Sequence, residues 1–157
     1  MPGAFGPGFS PDFGPFSAGP SGPSGPTVGP TVGAMFADVE ALLVDYLETT
    51  TGVRTVTSLP AQLETALPVF RVTGVGGADD RVTDRTLVEV EAFAAQRGDA
   101  RDLAETARQA MLAAAHTELD GWLVDTVQTE SRPRWVDYAN ERVQRFLAMY
   151  GVATRVR

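Results

Sequence analysis

The chain has 157 residues, 20 acidic and 13 basic, for a net charge of −7 and a length suited to one domain. All 13 basic residues are Arg and none is Lys, which excludes Schiff-base chemistry, Walker-A phosphate loops and Ser-Lys pairs. Cys is absent and His occurs once, so disulfides, thiol catalysis and an ordinary zinc centre are excluded too, and the acidic balance argues against a general nucleic-acid binder.

Composition breaks near Gly33. Residues 1–33 hold 9 Gly and 8 Pro and one charge, Asp12, whereas the remaining 124 residues hold 7 Gly and 3 Pro. Pro lacks an N–H and Gly costs entropy, so this arm cannot form a helix or a central strand. Phe5, Phe9, Phe13 and Phe16 recur three or four apart. They are candidate anchors on a neighbouring subunit, and at about 3.1 Å per residue the extended arm spans about 100 Å. The first residues lack the basic-then-apolar pattern of a secretory leader, and no run approaches the roughly 18 apolar residues of a membrane span.

Residues 34–157 read as one α+β domain. Phe36, Val39, Leu43, Tyr46 and Leu47 recur at helical spacing and predict a helix over 35–51 that Gly52 ends. A short strand at 53–57 follows, then a loop at 58–68 with room for one helical turn. Residues 69–75 read as a strand and the Gly- and Asp-rich stretch 74–85 as a long loop that reaches a partner. Over 86–95, Val88, Val90, Ala92 and Ala94 share one strand face while Glu89, Glu91 and Phe93 share the other. Asp99 stands where a helix N-cap belongs, and a helix over 100–119 carries the stripe Leu103, Ala107, Ala110, Met111, Ala114 and Ala115. Strands are expected at 122–130, 135–138 and 142–154, with a break at Ser131–Arg134. The last one is apolar on both faces and should be covered on both. The order is α-β-β-β-α-β-β-β: two helices on one face of a mainly antiparallel sheet, with the other face left to meet copies of the same chain.

The candidate chemistry is thin. Arg97-Gly98-Asp99 is explained by a turn and a helix cap, and His116 has no second His or Cys to share a metal. The Gly74–Gly77 run is not followed by Lys or by a helix, so it lacks what holds phosphate. Asp79, Asp80 and Asp84 match no calcium-loop spacing. Glu89 and Glu91 read as an acidic stripe rather than an acid/base pair. Arg132, Arg134 and Arg155, with Asp79, Asp80 and Arg81 of the loop, are candidates for salt bridges across an interface. No set combines nucleophile, base and oxyanion donors, and no cofactor is expected.

The order of these elements, with Phe36-Ala37-Asp38-Val39-Glu40-Ala41-Leu42-Leu43, Leu67-Pro68-Val69-Phe70-Arg71-Val72, the run from Asp84 to Ala94, Arg134-Trp135-Val136-Asp137-Tyr138 and Val143 to Tyr150, resembles the tail-terminator (tail-completion) proteins of long-tailed bacteriophages. The resemblance implies a structural virion protein at the tail neck, assembled in the host cytoplasm. It implies a hexameric ring that ends tail-tube growth and receives the head-tail connector or stopper protein. It also implies a lumen through which DNA passes without specific binding, with Glu89 and Glu91 as its expected acidic lining. Alternatives are another neck component, such as a head-tail stopper, or a cellular α+β interaction module whose arm is only a linker.

Overall fold

The computed structural model describes Gly3 and residues 35–155. The chain divides into residues 1–32 and 33–157, and the second unit is described here; the expectations for Phe5, Phe9, Phe13 and Phe16 lie outside the described residues. The unit is α+β, in the order α1 (Val39–Thr51), β1 (Arg54–Val56), a 3-10 turn (Leu63–Thr65), β2 (Val69–Asp79), β3 (Thr83–Ala94), α2 (Arg97–Ala113), β4 (Thr117–Leu119), β5 (Trp122–Val136) and β6 (Gln144–Arg155). The six strands form one mixed sheet in the order β1-β2-β3-β6-β5-β4, in which β1 runs parallel to β2 and every other pair is antiparallel.

Helix α1 starts at Val39 because the Asp38 carboxylate accepts the Ala41 N–H at 3.1 Å. It ends at Gly52, whose φ of 72° lets its N–H reach the Glu48 carbonyl. The helix buries Val39, Leu43 and Leu47 at four-residue spacing, while Phe36 lies ahead of it and is exposed. Helix α2 buries Ala100, Ala104, Ala107, Ala110 and Met111, and the small side chains let it lie close on the sheet. Both helices join one apolar cluster with Phe70, Val72, Val88, Val90, Ala92, Phe146, Ala148, Tyr150 and Val152. Tyr46 ties the helices together by donating to the Ala110 carbonyl at 2.9 Å.

Several expected boundaries are corrected. The stretch 74–85 is not a loop. β2 and β3 pair through it to Asp79–Asp84, leaving a turn of four residues, because β6 backs β3 as far as Thr83–Arg155 and gives the hairpin a third strand. Helix α2 begins at Arg97 after Gln96, so Asp99 sits in its first turn rather than at the cap. The helix stops at Ala113. His116 takes a φ of 62° and donates its N–H to the Val124 carbonyl at 2.7 Å, which starts a hairpin. Asp120 (φ 46°) and Gly121 (φ 76°) form the two-residue turn of that hairpin. Residues 131–134 do not break β5. The strand lies at an edge there, and a bulge between Ser131 and Arg134 takes up Pro133. The last three strands are therefore not the three expected.

A second cluster, Leu63, Val69, Phe93 and Val143 with Val56, Leu59, Leu67 and Tyr138, covers one end of the opposite sheet face. Beyond it, among the described residues, that face is bare. Leu147 and Met149 are only half-buried and Leu87 is exposed, so β6 is not covered on both sides as expected.

Candidate functional site

The site is the bare sheet face with its two flanking strand edges. The registers place its side chains. Thr73, Glu89 and Met149 form one row and Arg71, Glu91 and Leu147 another, and Arg134 stands opposite Leu147 on β5. Around Gly151, Gly77, Ala78, Arg85, Leu87, Thr126, Gln128 and Glu130 line a shallow groove of about 410 Å³. The Glu130 carboxylate lies over Gly151, 2.9 Å from where a Cβ would stand.

Glu91 is 1% exposed, which overturns its place in an acidic lining. Its Oε2 accepts from Arg71 Nε and its Oε1 from Arg145 Nη1 at 3.1 Å. Arg145 also donates through Nη2 to the Asp137 carbonyl at 2.7 Å and lies over the Tyr138 ring at 5.4 Å. Tyr138 in turn meets Phe93 edge-on at 5.5 Å. Glu91 is thus a buried counter-ion that fixes two arginines and the 137–143 loop. Glu89 stays on the face without an ion pair among the described residues. The face also carries Arg71, Arg85, Arg134 and Arg145 against Glu89, Glu91 and Glu130. It is near charge balance and not acidic.

The hairpin tip uses its acids on itself. Asp80 accepts the N–H groups of Val82 (3.1 Å) and Thr83 (2.8 Å), and Asp79 accepts that of Arg81 at 3.2 Å. The Thr83 and Val82 amides, helped by Arg85 at 3.3 Å, hold the Asp80 carboxyl below its ordinary range. Arg81 itself bends at a φ of 71°, and Val82 beside it is 67% exposed.

Arg132 and Arg134 do not act together. The Pro133 bulge sends Arg134 to the bare face, whereas Arg132 lines a helix-side groove of about 630 Å³ with Arg101, Asp102, Glu105, Arg108 and Phe146. In that groove Arg108 grips Glu105 at 2.7 Å and lowers its pKa. Arg155 is held within the chain, its Nε 3.1 Å from both Asp125 oxygens.

The edges were missed in the sequence because they depend on which strands end early. β1 covers β2 only over Val69–Arg71, and β4 covers β5 only over Trp122–Val124. On β2 the Gly74 N–H is taken by Glu40 Oε1 of α1 at 2.5 Å. Past that point, and on β5 past Val124, no strand lies alongside among the described residues.

A family model described as phage tail termination protein matches residues 35–129. The chain belongs to that family. The match runs from α1 into β5 and takes in Glu89, Glu91 and the hairpin tip, while Arg132, Arg134 and Arg155 lie beyond it. Among solved structures, the terminator fold is similar to a chain from the virion of a native gene transfer agent particle. The two are 12% identical with a TM-score of 0.52, over 69% of this chain and 84% of that one. No curated protein matches. The family is one of structural tail proteins, and the chain is accordingly a virion-associated tail protein.

Proposed function

We propose that this terminator closes into a hexameric ring at the head-proximal end of the tail tube, ends tube growth there and presents the docking surface for the head-tail connector or stopper protein. Membership of the termination family over residues 35–129 carries the reading. A sheet with one bare face and two free edges supports it, since such a sheet is completed by further chains. Tube rings stack head to tail, so each finished ring exposes an interface for the next. A terminator matches that interface on one side and differs on the other, which stops the series.

The bare face lines the lumen in this reading. Its near balance of Arg and Glu suits DNA that must slide past, because it neither gathers phosphates nor repels them strongly. Of the two expected lining acids, Glu89 remains. The hairpin tip with Asp79, Asp80 and Arg81, and Arg132 on the helix side, meet neighbouring virion proteins, while Arg134 stays on the lumen face and Arg155 stays paired with Asp125. The arm of residues 1–33 clasps an adjacent subunit or neck protein through Phe5, Phe9, Phe13 and Phe16. The neck is assembled in the host cytoplasm.

The test is the native size of the full chain with and without its tail-tube protein, together with its fate in tails that lack heads. Six-subunit rings capping headless tails are expected. A chain that stays monomeric beside the tube protein, or is absent from headless tails, refutes the proposal.

A further inference from the structure

We infer that neighbouring subunits are joined by direct strand pairing: the outer edge of β2 over residues 75–79 of one copy lies antiparallel to the outer edge of β5 over residues 125–130 of the next. The inference rests on the ring reading above and names how the ring is held.

Strand direction supports it first. β2 is antiparallel to β3, β3 to β6 and β6 to β5, so β2 and β5 run in opposite senses at the two sides of one four-strand block. With the strands running along the ring axis, rotation about that axis leaves each strand's sense along it unchanged. β5 of one copy therefore meets β2 of the next in the same antiparallel sense that holds inside the sheet.

The guards on each edge support it second. On β2, β1 occupies 69–71 and Glu40 caps Gly74, which leaves 75–79 open among the described residues. On β5, β4 occupies 122–124 and the Pro133 bulge interrupts the far half, which leaves 125–130 open among the described residues. Edge strands are normally blunted by such devices because their free N–H and C=O groups template another chain. Here the blunting stops short on both edges over stretches of nearly equal length. The short strands do not collide in the antiparallel arrangement. β4 of one copy lies past the hairpin tip of its neighbour, and β1 of that neighbour lies where β5 is already turned away by its bulge.

The faces also match. Ala78, Arg85, Ala153 and Thr126 form one cross-strand row from β2 to β5, so the bare face continues from copy to copy. Asp79 is brought towards Asp125, whose charge is already met by Arg155. Two different edges meeting head to tail give a closed ring when the rotation closes.

The full chain contains no Cys, which makes the joint directly testable. Ala78→Cys is combined in turn with Thr126→Cys, Gln128→Cys and Glu130→Cys, which line the same face as Ala78, and each double variant is assembled with tail-tube protein and oxidised. One pair is expected to give a ladder of linked chains up to the whole ring, since paired strands bring Cα atoms within disulfide reach. In the unmodified protein, amide exchange over 75–79 and 125–130 is expected to slow about tenfold or more on ring formation. Rings that form with neither cross-link nor added protection overturn the strand pairing and leave the ring intact. A chain that stays monomeric with the tube protein overturns both.

Discussion

Replacing Glu91 by Ala separates a structural carboxylate from a lumen charge. Glu91 is 1% exposed and holds Arg71 and Arg145, whose side chains are 31% and 19% exposed. Without it two partly buried guanidinium groups face each other across β3, and Arg145 keeps only its bond to the Asp137 carbonyl and its contact with Tyr138. Removing one partner of a buried ion pair costs about 3–5 kcal/mol, and because water reaches both arginines we expect the lower end, about 3 kcal/mol. At about 2.1 cal/mol/K per residue over roughly 120 residues, that loss lowers the melting midpoint by about 12 °C. Glu91→Gln, which keeps the shape and one acceptor, falls in between. Glu89→Gln, at a half-exposed position without an ion pair, stays within about 0.5 kcal/mol of the parent. Thermal and urea melts of the full chain without tube protein measure all three. A Glu91→Ala shift no larger than that of Glu89→Gln would refute the buried counter-ion and return Glu91 to the lumen.

Tyr150 is fully buried, burial raises its pKa, and its hydroxyl has no partner among the described residues. Tyr150→Phe is therefore expected to leave stability unchanged or raise it by up to about 1 kcal/mol, read as the urea midpoint. A Cβ at Gly77 would stand 2.2 Å from the Arg85 carbonyl oxygen, whereas one at Gly98 in α2 meets nothing within 4 Å. Gly77→Ala should cost about 1–3 kcal/mol and disturb the β2–β3 register. Gly98→Ala should instead stabilise by about 0.5–1 kcal/mol, and melts that rank the two the other way contradict the geometry. The Asp80 carboxyl titrates below its ordinary value of 3.8 in the folded chain. Its contribution to the turn is complete above about pH 4 and is lost as pH falls through the lowered folded value. The Thr83 amide should lose exchange protection there, and Asp80→Asn should abolish that step.

What could be read from the sequence follows the range of the interactions involved. Helix α1 shows in its spacing and its C-cap because Glu48 and Gly52 act within a few residues, whereas its start, expected at residue 35, is set four residues later by the Asp38 cap. The faces of β3 show because alternation is local. Asp99 looked like a cap because the helix starts two residues before it, at Arg97, with no side-chain cap of its own, and Thr117–Leu119 looked helical because the alanine-rich stripe of α2 runs up to the hairpin, turned at Asp120 and Gly121, that pairs this stretch with Trp122–Val124. The Gly- and Asp-rich 74–85 looked like a loop because its support is β6, some seventy residues on. Glu91 was placed on the correct face with the wrong surroundings, since Arg71 and Arg145 lie 20 and 54 positions away. An Arg at matching alternation on each neighbouring strand is the one signal that could have joined them. The free edges left no trace in the sequence, because an edge is defined by where other strands stop.

The hairpin between β2 and β3 is backed by β6 to its last pairs, Thr83 against Arg155 and Asp84 against Thr154. A push on the tip therefore travels as shear along three bonded strands into the core and is not absorbed by bending. In the proposed ring, the height at which the tip would meet the next protein is then set by the length of the sheet, so exchanging the residues at Asp79–Val82 would suit a different neighbour without changing the spacing between layers.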